Sequence, residues 1–130
     1  MGAWDNTIWG NDSAADWFCE LFEKTKLREK VRECLEMDMN LYCEDIRAAA
    51  YILIVLGRTY IWSGVQDLDD DLSLAIKRME ELQQHSYYNL PNDFGNHLKY
   101  ETAILKHRLD KDYKLPTTME FKNWWLSFLK

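Results

Sequence analysis

Apolar positions recur along most of this chain at helical spacing. Ala14, Trp17, Phe18, Leu21 and Phe22 fall at i, i+3, i+4, i+7 and i+8, while Asp12, Asp16, Glu20 and Glu23 collect on another side. That is the pattern of an amphipathic helix. Asn11, Asp12 and Ser13 precede it as three N-cap candidates, and Ser13 with Asp16 approximates a capping box. Residues 26–37 repeat the pattern more weakly through Leu27, Val31, Cys34 and Leu35 and predict a second surface helix. Over residues 44–56 the segment EDIRAAAYILIVL opens on acids, turns apolar all round and meets Gly57 as a C-cap, which predicts a buried central helix. The run ILIVL would also suit a parallel strand, but the three alanines before it favour helix and no second run of that kind exists to pair with it.

Residues 59–66, TYIWSGVQ, read as a connection or a short extended piece. The acids from Asp67 to Asp71 then open another helix with the stripe Leu72, Ile76, Met79 and Leu82, ending near His85. SYYNLPND punctuates the chain, after which Phe94, Leu98, Leu105 and Leu109 predict a fifth helix. Thr117 and Glu120 form a T-x-x-E capping box ahead of a final stripe of Phe121, Trp124, Trp125, Phe128 and Leu129. With no internal repeat and no Gly-, Ser- or Pro-rich linker, residues 1–130 read as a single all-α domain. The expected architecture is a compact bundle of five or six helices, the 44–56 helix central, with the first and last helices packing their aromatic stripes on it.

Composition agrees with that picture. Hydrophobic residues make up 47% and aromatics 14% of the chain, enough for a real core, while 5 Gly and 2 Pro leave little turn chemistry for a fold of many short strands. The net charge of -6 argues against a nucleic-acid binder, whose affinity rests on Lys and Arg neutralising phosphates, and favours a protein partner with a basic surface. Cys19, Cys34 and Cys43 are odd in number and form no CxxC pair, which suits reduced thiols in a cytoplasm. The opening MGAWDNTIWG lacks the basic-then-apolar pattern of a signal peptide. The longest apolar run, residues 48–57, is about half of the ~20 residues a membrane span needs.

The first seventeen residues, MGAWDNTIWGNDSAADW, resemble the opening signature of the bacterial family catalogued as domain of unknown function 4259. Its members start close to M-G-x-W-G-x-G, pass an aromatic and continue as N-D-x-A-x-D-W. Gly2, Trp4, Asn11, Asp12, Ala14, Asp16 and Trp17 match that signature, and Trp9 stands where the aromatic is usual. Asp5 and Thr7 replace the usual glycines, which bears on any loop conformation needing positive φ there. AAAYILIVLGR is similar to the Ala-rich helix ending in Gly-Arg of such proteins. The resemblance implies a helical fold and a structural role for the matched residues, and no activity.

Chemical motifs are few. Asp67-x-Asp69-x-Asp71 has the alternating carboxylates of a calcium loop, but Leu72 stands at the position of its Gly and Arg78 at that of its bidentate Glu, so a helix-opening acidic run is the better reading. His85, His97 and His107 have no i, i+4 partner among themselves, and no H-E-x-x-H, G-x-S-x-G or P-loop pattern occurs. No catalytic residue, metal or cofactor is therefore expected. The like-charged ridge Asp12, Asp16, Glu20 and Glu23, with the cluster Asp67, Asp69, Asp70 and Asp71, supplies the partner-binding candidates. The leading expectation is a small cytoplasmic interaction module, of the kind an immunity protein that blocks a basic toxin represents. The alternative is an enzyme or small-ligand binder, which would show itself as a pocket of convergent polar groups with shifted pKa values.

Overall fold

The computed structural model describes residues 3–85 and 94–128. Within them the chain forms six helices: α1 Asp12–Thr25, α2 Leu27–Leu35, α3 Met39–Leu56, α4 Val65–Gln84, α5 Phe94–Leu109 and α6 Met119–Phe128. Gly2, the SYYNLPND segment and Leu129, all singled out from sequence, lie outside the described residues. The all-α expectation holds, and among the described residues no helix is long and apolar enough to cross a membrane.

Local chemistry sets the helix ends. Asn11, with extended backbone, caps α1 by accepting from the Ala14 N–H at 2.8 Å. Asp12 and Ser13 are already helical, so the expected Ser13–Asp16 capping box does not form. Lys26 takes the left-handed conformation at φ 55°, donates its N–H to the Phe22 carbonyl and turns the chain directly into α2. Asp38 caps α3 through the Asn40 N–H, and the helix opens at Met39, five residues before the expected start. A break at Tyr42 divides off that first turn, so regular helix runs on from Cys43, next to the predicted start. At the other end Gly57 donates to Leu53 O at 2.8 Å, and a Cβ on it would lie 2.3 Å from that oxygen, so only glycine closes this cap. Thr118, not Thr117, caps α6, accepting from the Phe121 N–H.

Helix α3 packs against α2, α4 and α5 through Ile46, Ala50, Leu53 and Ile54, as a central helix should. It is not apolar-buried all round, however: Tyr51 and Val55 are exposed. The terminal helices also depart from expectation. Only Phe22 of the α1 stripe is buried, edge-on to Trp62 of the α3–α4 connection at 5.0 Å, and Trp17 is 58% exposed. The α6 stripe sits mainly on α5, where Tyr100 meets Phe121 and Trp124, while Phe128 reaches Tyr51 of α3. The 59–66 connection, the least helical stretch of the sequence, contributes Ile61 and Trp62 to the core.

One polar cluster sits inside this packing. Asp71 of α4, 1% exposed, accepts from Arg28 at 2.8 and 3.1 Å, from Arg32 at 2.7 Å and from the Trp62 indole at 2.8 Å. Four donors on one carboxylate compensate its loss of water and tie α2, α4 and the connection together.

Candidate anion-binding site

Three segments converge at the C-terminal ends of α3 and α5. Beyond Gly57, residues 58–60 turn back toward α4. The last turn of α5 carries His107 and Arg108, with Lys111 just after it. The arm before α1 closes the third side. Its bridge between Ala3 and Asn11 and the Trp4 N–H to Gly10 O bond at 2.6 Å fold it into a tight loop. Thr7 donates to Asp5 Oδ1 through both its N–H, at 2.8 Å, and its hydroxyl. A Cβ on Gly10 would lie 2.0 Å from Asp5 Oδ1, so a larger residue there would displace the Asp5 side chain from Thr7. Neither Asp5 nor Thr7 takes a positive φ, so neither position calls for a glycine, and their side chains build the loop.

Two tryptophans fix the arm to the body. Trp9 lies under the Arg58 guanidinium at 4.5 Å, and Trp4 packs on Tyr60 at 4.6 Å while donating its indole N–H to Asp12. Between arm and body lies a cleft of about 450 Å³, lined among others by Trp4, Trp9, Tyr60, Arg58, Arg108 and Lys111. That volume is within the range of small-molecule sites, roughly 300–1,000 Å³.

Its electrostatics differ from those of the rest of the molecule. Four of the six arginines, Arg28, Arg32, Arg47 and Arg78, hold a carboxylate. Arg58 and Arg108 hold none among the described residues. Burial lowers the Arg58 pKa, and burial followed by the charge of Arg58 lowers that of Arg108 to about 10. Arg108 spends its Nε–H on Ile54 O at 3.0 Å, a carbonyl in the last turn of α3. That bond and the negative C-terminal ends of two helices hold the cations in place, yet its four other N–H groups take no partner among the described residues. His107 is oriented by Nδ1 against Tyr113 O at 2.9 Å; a carbonyl only accepts, so Nδ1 carries the proton. Tyr60 has φ 72°, which costs a residue with a Cβ about 1–2 kcal/mol.

No family model, curated protein or solved structure matches this chain.

The residues singled out from sequence divide into three groups. Trp4, Trp9, Asn11 and Asp12 come together as the arm and its anchor. Asp12, Asp16, Glu20 and Glu23 lie exposed along α1, where Asp12 takes the Trp4 indole and Glu20 pairs with Lys24 at 2.5 Å. The aspartate cluster splits because it is helical. Asp69 and Asp70 are exposed, Asp67 lies 3.4 Å from Arg28, and Asp71 is buried. Asp71 is thus a correction to its reading as a partner contact: its carboxylate is committed to Arg28, Arg32 and Trp62. Sequence reasoning did not single out Arg58, Tyr60, Arg108 or Lys111 as site residues. The one available signal was Arg58 itself, in the Gly-Arg that ends the Ala-rich helix.

Proposed function

We propose that this chain is a binding protein whose working site is the Arg58–Arg108 cleft, and that its ligand there is a small anion. The observation that carries this reading is the pair of partly buried arginines in one cleft, neither of them ion-paired among the described residues, while each of the other four arginines holds a carboxylate. Cations stripped of water and left unpaired are costly, and an anion with several acceptor oxygens offsets that cost. Titration calorimetry with inorganic phosphate and sulfate tests it: saturable binding is expected for the wild type and loss of binding for Arg58→Gln and Arg108→Gln. Absence of heat with both anions rules the reading out.

The exposure of the whole ridge Asp12, Asp16, Glu20 and Glu23 favours a second reading. In it the chain is a cytoplasmic interaction module of the immunity-protein kind, related to domain of unknown function 4259, and a basic partner docks on the ridge with Asp69 and Asp70 alongside. Four like charges along one helix face, only one of them ion-paired among the described residues, support long-range steering of a basic protein. Salt-dependent capture of such a partner, lost on reversing the ridge charges, is the test.

A further inference from the structure

The chemistry of the cleft narrows the ligand further. Its lining holds three cations, Arg58, Arg108 and Lys111, against one carboxylate, Asp5, an excess of two positive charges. Asp5 is already engaged by Thr7, whose hydrogen bonds lower its pKa and keep it ionised. A monocarboxylate leaves that excess half uncompensated and offers two oxygens to two guanidinium forks and an ammonium. A phosphate monoester brings up to two negative charges and three terminal oxygens, which suits such a set.

The remaining wall is aromatic, and it is open. Trp4 is 46% and Tyr60 58% exposed although they pack on one another. Tyr60 also keeps its ring at a backbone conformation that favours glycine, and a strained residue beside a cleft points to a use for its side chain. Flat rings of this kind stack on a flat ligand group. Size agrees, because about 450 Å³ is far more than a bare phosphate fills. Charge excludes the polymeric form of such a ligand: at a net charge of -6 the protein as a whole repels a polyanion, while a small anion reaches the local cationic cleft.

Resting on the reading of the cleft as an anion site, we infer that its ligand is a phosphate monoester carrying a flat aromatic or heteroaromatic ring, held by Arg58, Arg108 and Lys111 at the phosphate and by Trp4 and Tyr60 at the ring. The experiment is titration of the full chain with adenosine monophosphate, phenyl phosphate and inorganic phosphate, followed by calorimetry and tryptophan fluorescence. At least one ring-bearing ester should bind about tenfold or more tighter than inorganic phosphate and perturb the tryptophan emission. Arg108→Gln should weaken it by about tenfold or more, the scale of a charge-assisted hydrogen bond. Tyr60→Gly removes the ring where the backbone already suits glycine, so it should reduce the ester's advantage over inorganic phosphate severalfold. Equal affinity for phosphate and both esters overturns the ligand class and leaves the anion site standing. No binding of any of the three overturns both. Ester binding that survives Arg108→Gln and Arg58→Gln places the ligand elsewhere and overturns the inference.

Discussion

Trp62 donates its indole N–H to the Asp71 carboxylate at 2.8 Å, beneath the aromatic contact that Trp62 makes with Phe22. Through this pair the connection after α3, which is short of regular structure, is held to α4, and the residues just before it, Arg58 to Tyr60, are held at the cleft. The core polar cluster therefore supports the surface site.

Removing the acceptor should be severe. Asp71→Ala leaves Arg28, Arg32 and the Trp62 indole without their shared partner, and breaking a buried pair of this kind costs about 3–5 kcal/mol. Urea denaturation of the variant should show a loss of that size, and a loss below about 1 kcal/mol would mean that Asp71 is dispensable to the packing.

Neutralising the cleft should be far milder. The folded Arg108 pKa, about 10, lies below the ordinary arginine value, so the folded state is the poorer proton binder. The contribution of this group to stability therefore rises as pH climbs above about 10 toward the ordinary arginine value, and at neutral pH the cost of the charge is present in full. Arg58→Gln relieves the repulsion without removing the Ile54 bond but gives up the cation–π contact with Trp9, so the two effects oppose one another and stability should stay within about 1 kcal/mol of the wild type. Denaturant midpoints at low salt measure this, and a larger destabilisation would mean that the Trp9 contact outweighs the relief.

The exposed ridge should be nearly silent in stability. Reversing Glu20 and Glu23 to Lys removes one surface pair with Lys24, an effect within about 0.5 kcal/mol. If a basic partner docks there, its association should slow and lose part of its salt dependence, read by stopped-flow. Unchanged rates would remove the ridge from the interface.

The three cysteines should separate by reactivity. Cys19 is exposed and should be alkylated first. Burial pushes the Cys34 thiol up, with help from Asp45 and Glu33, and it donates to Asp45 O at 3.2 Å, so it should follow more slowly at neutral pH, where less thiolate forms. Cys43 is buried and should react only on opening of the fold. Peptide mass spectrometry after timed iodoacetamide treatment gives the order, and Cys34 reacting ahead of Cys19 would contradict it.

The sequence by itself determined the helices, because their signals are local. Spacing of apolar residues selects the period, and a short polar side chain or a glycine satisfies the end groups within one turn, as Asn11, Asp38 and Gly57 do. Tertiary structure decided which carboxylates are surface and which are core, since Asp70 and Asp71 are adjacent in sequence and differ only in the side of α4 they occupy. It alone decided the cleft: Trp9, Arg58 and Arg108 are about fifty residues apart from one to the next. Each reads locally as an ordinary helix-end or loop residue. Only the packing of α3 against α5, with the arm laid across their ends, puts two cations beside each other with no ion pair to either among the described residues.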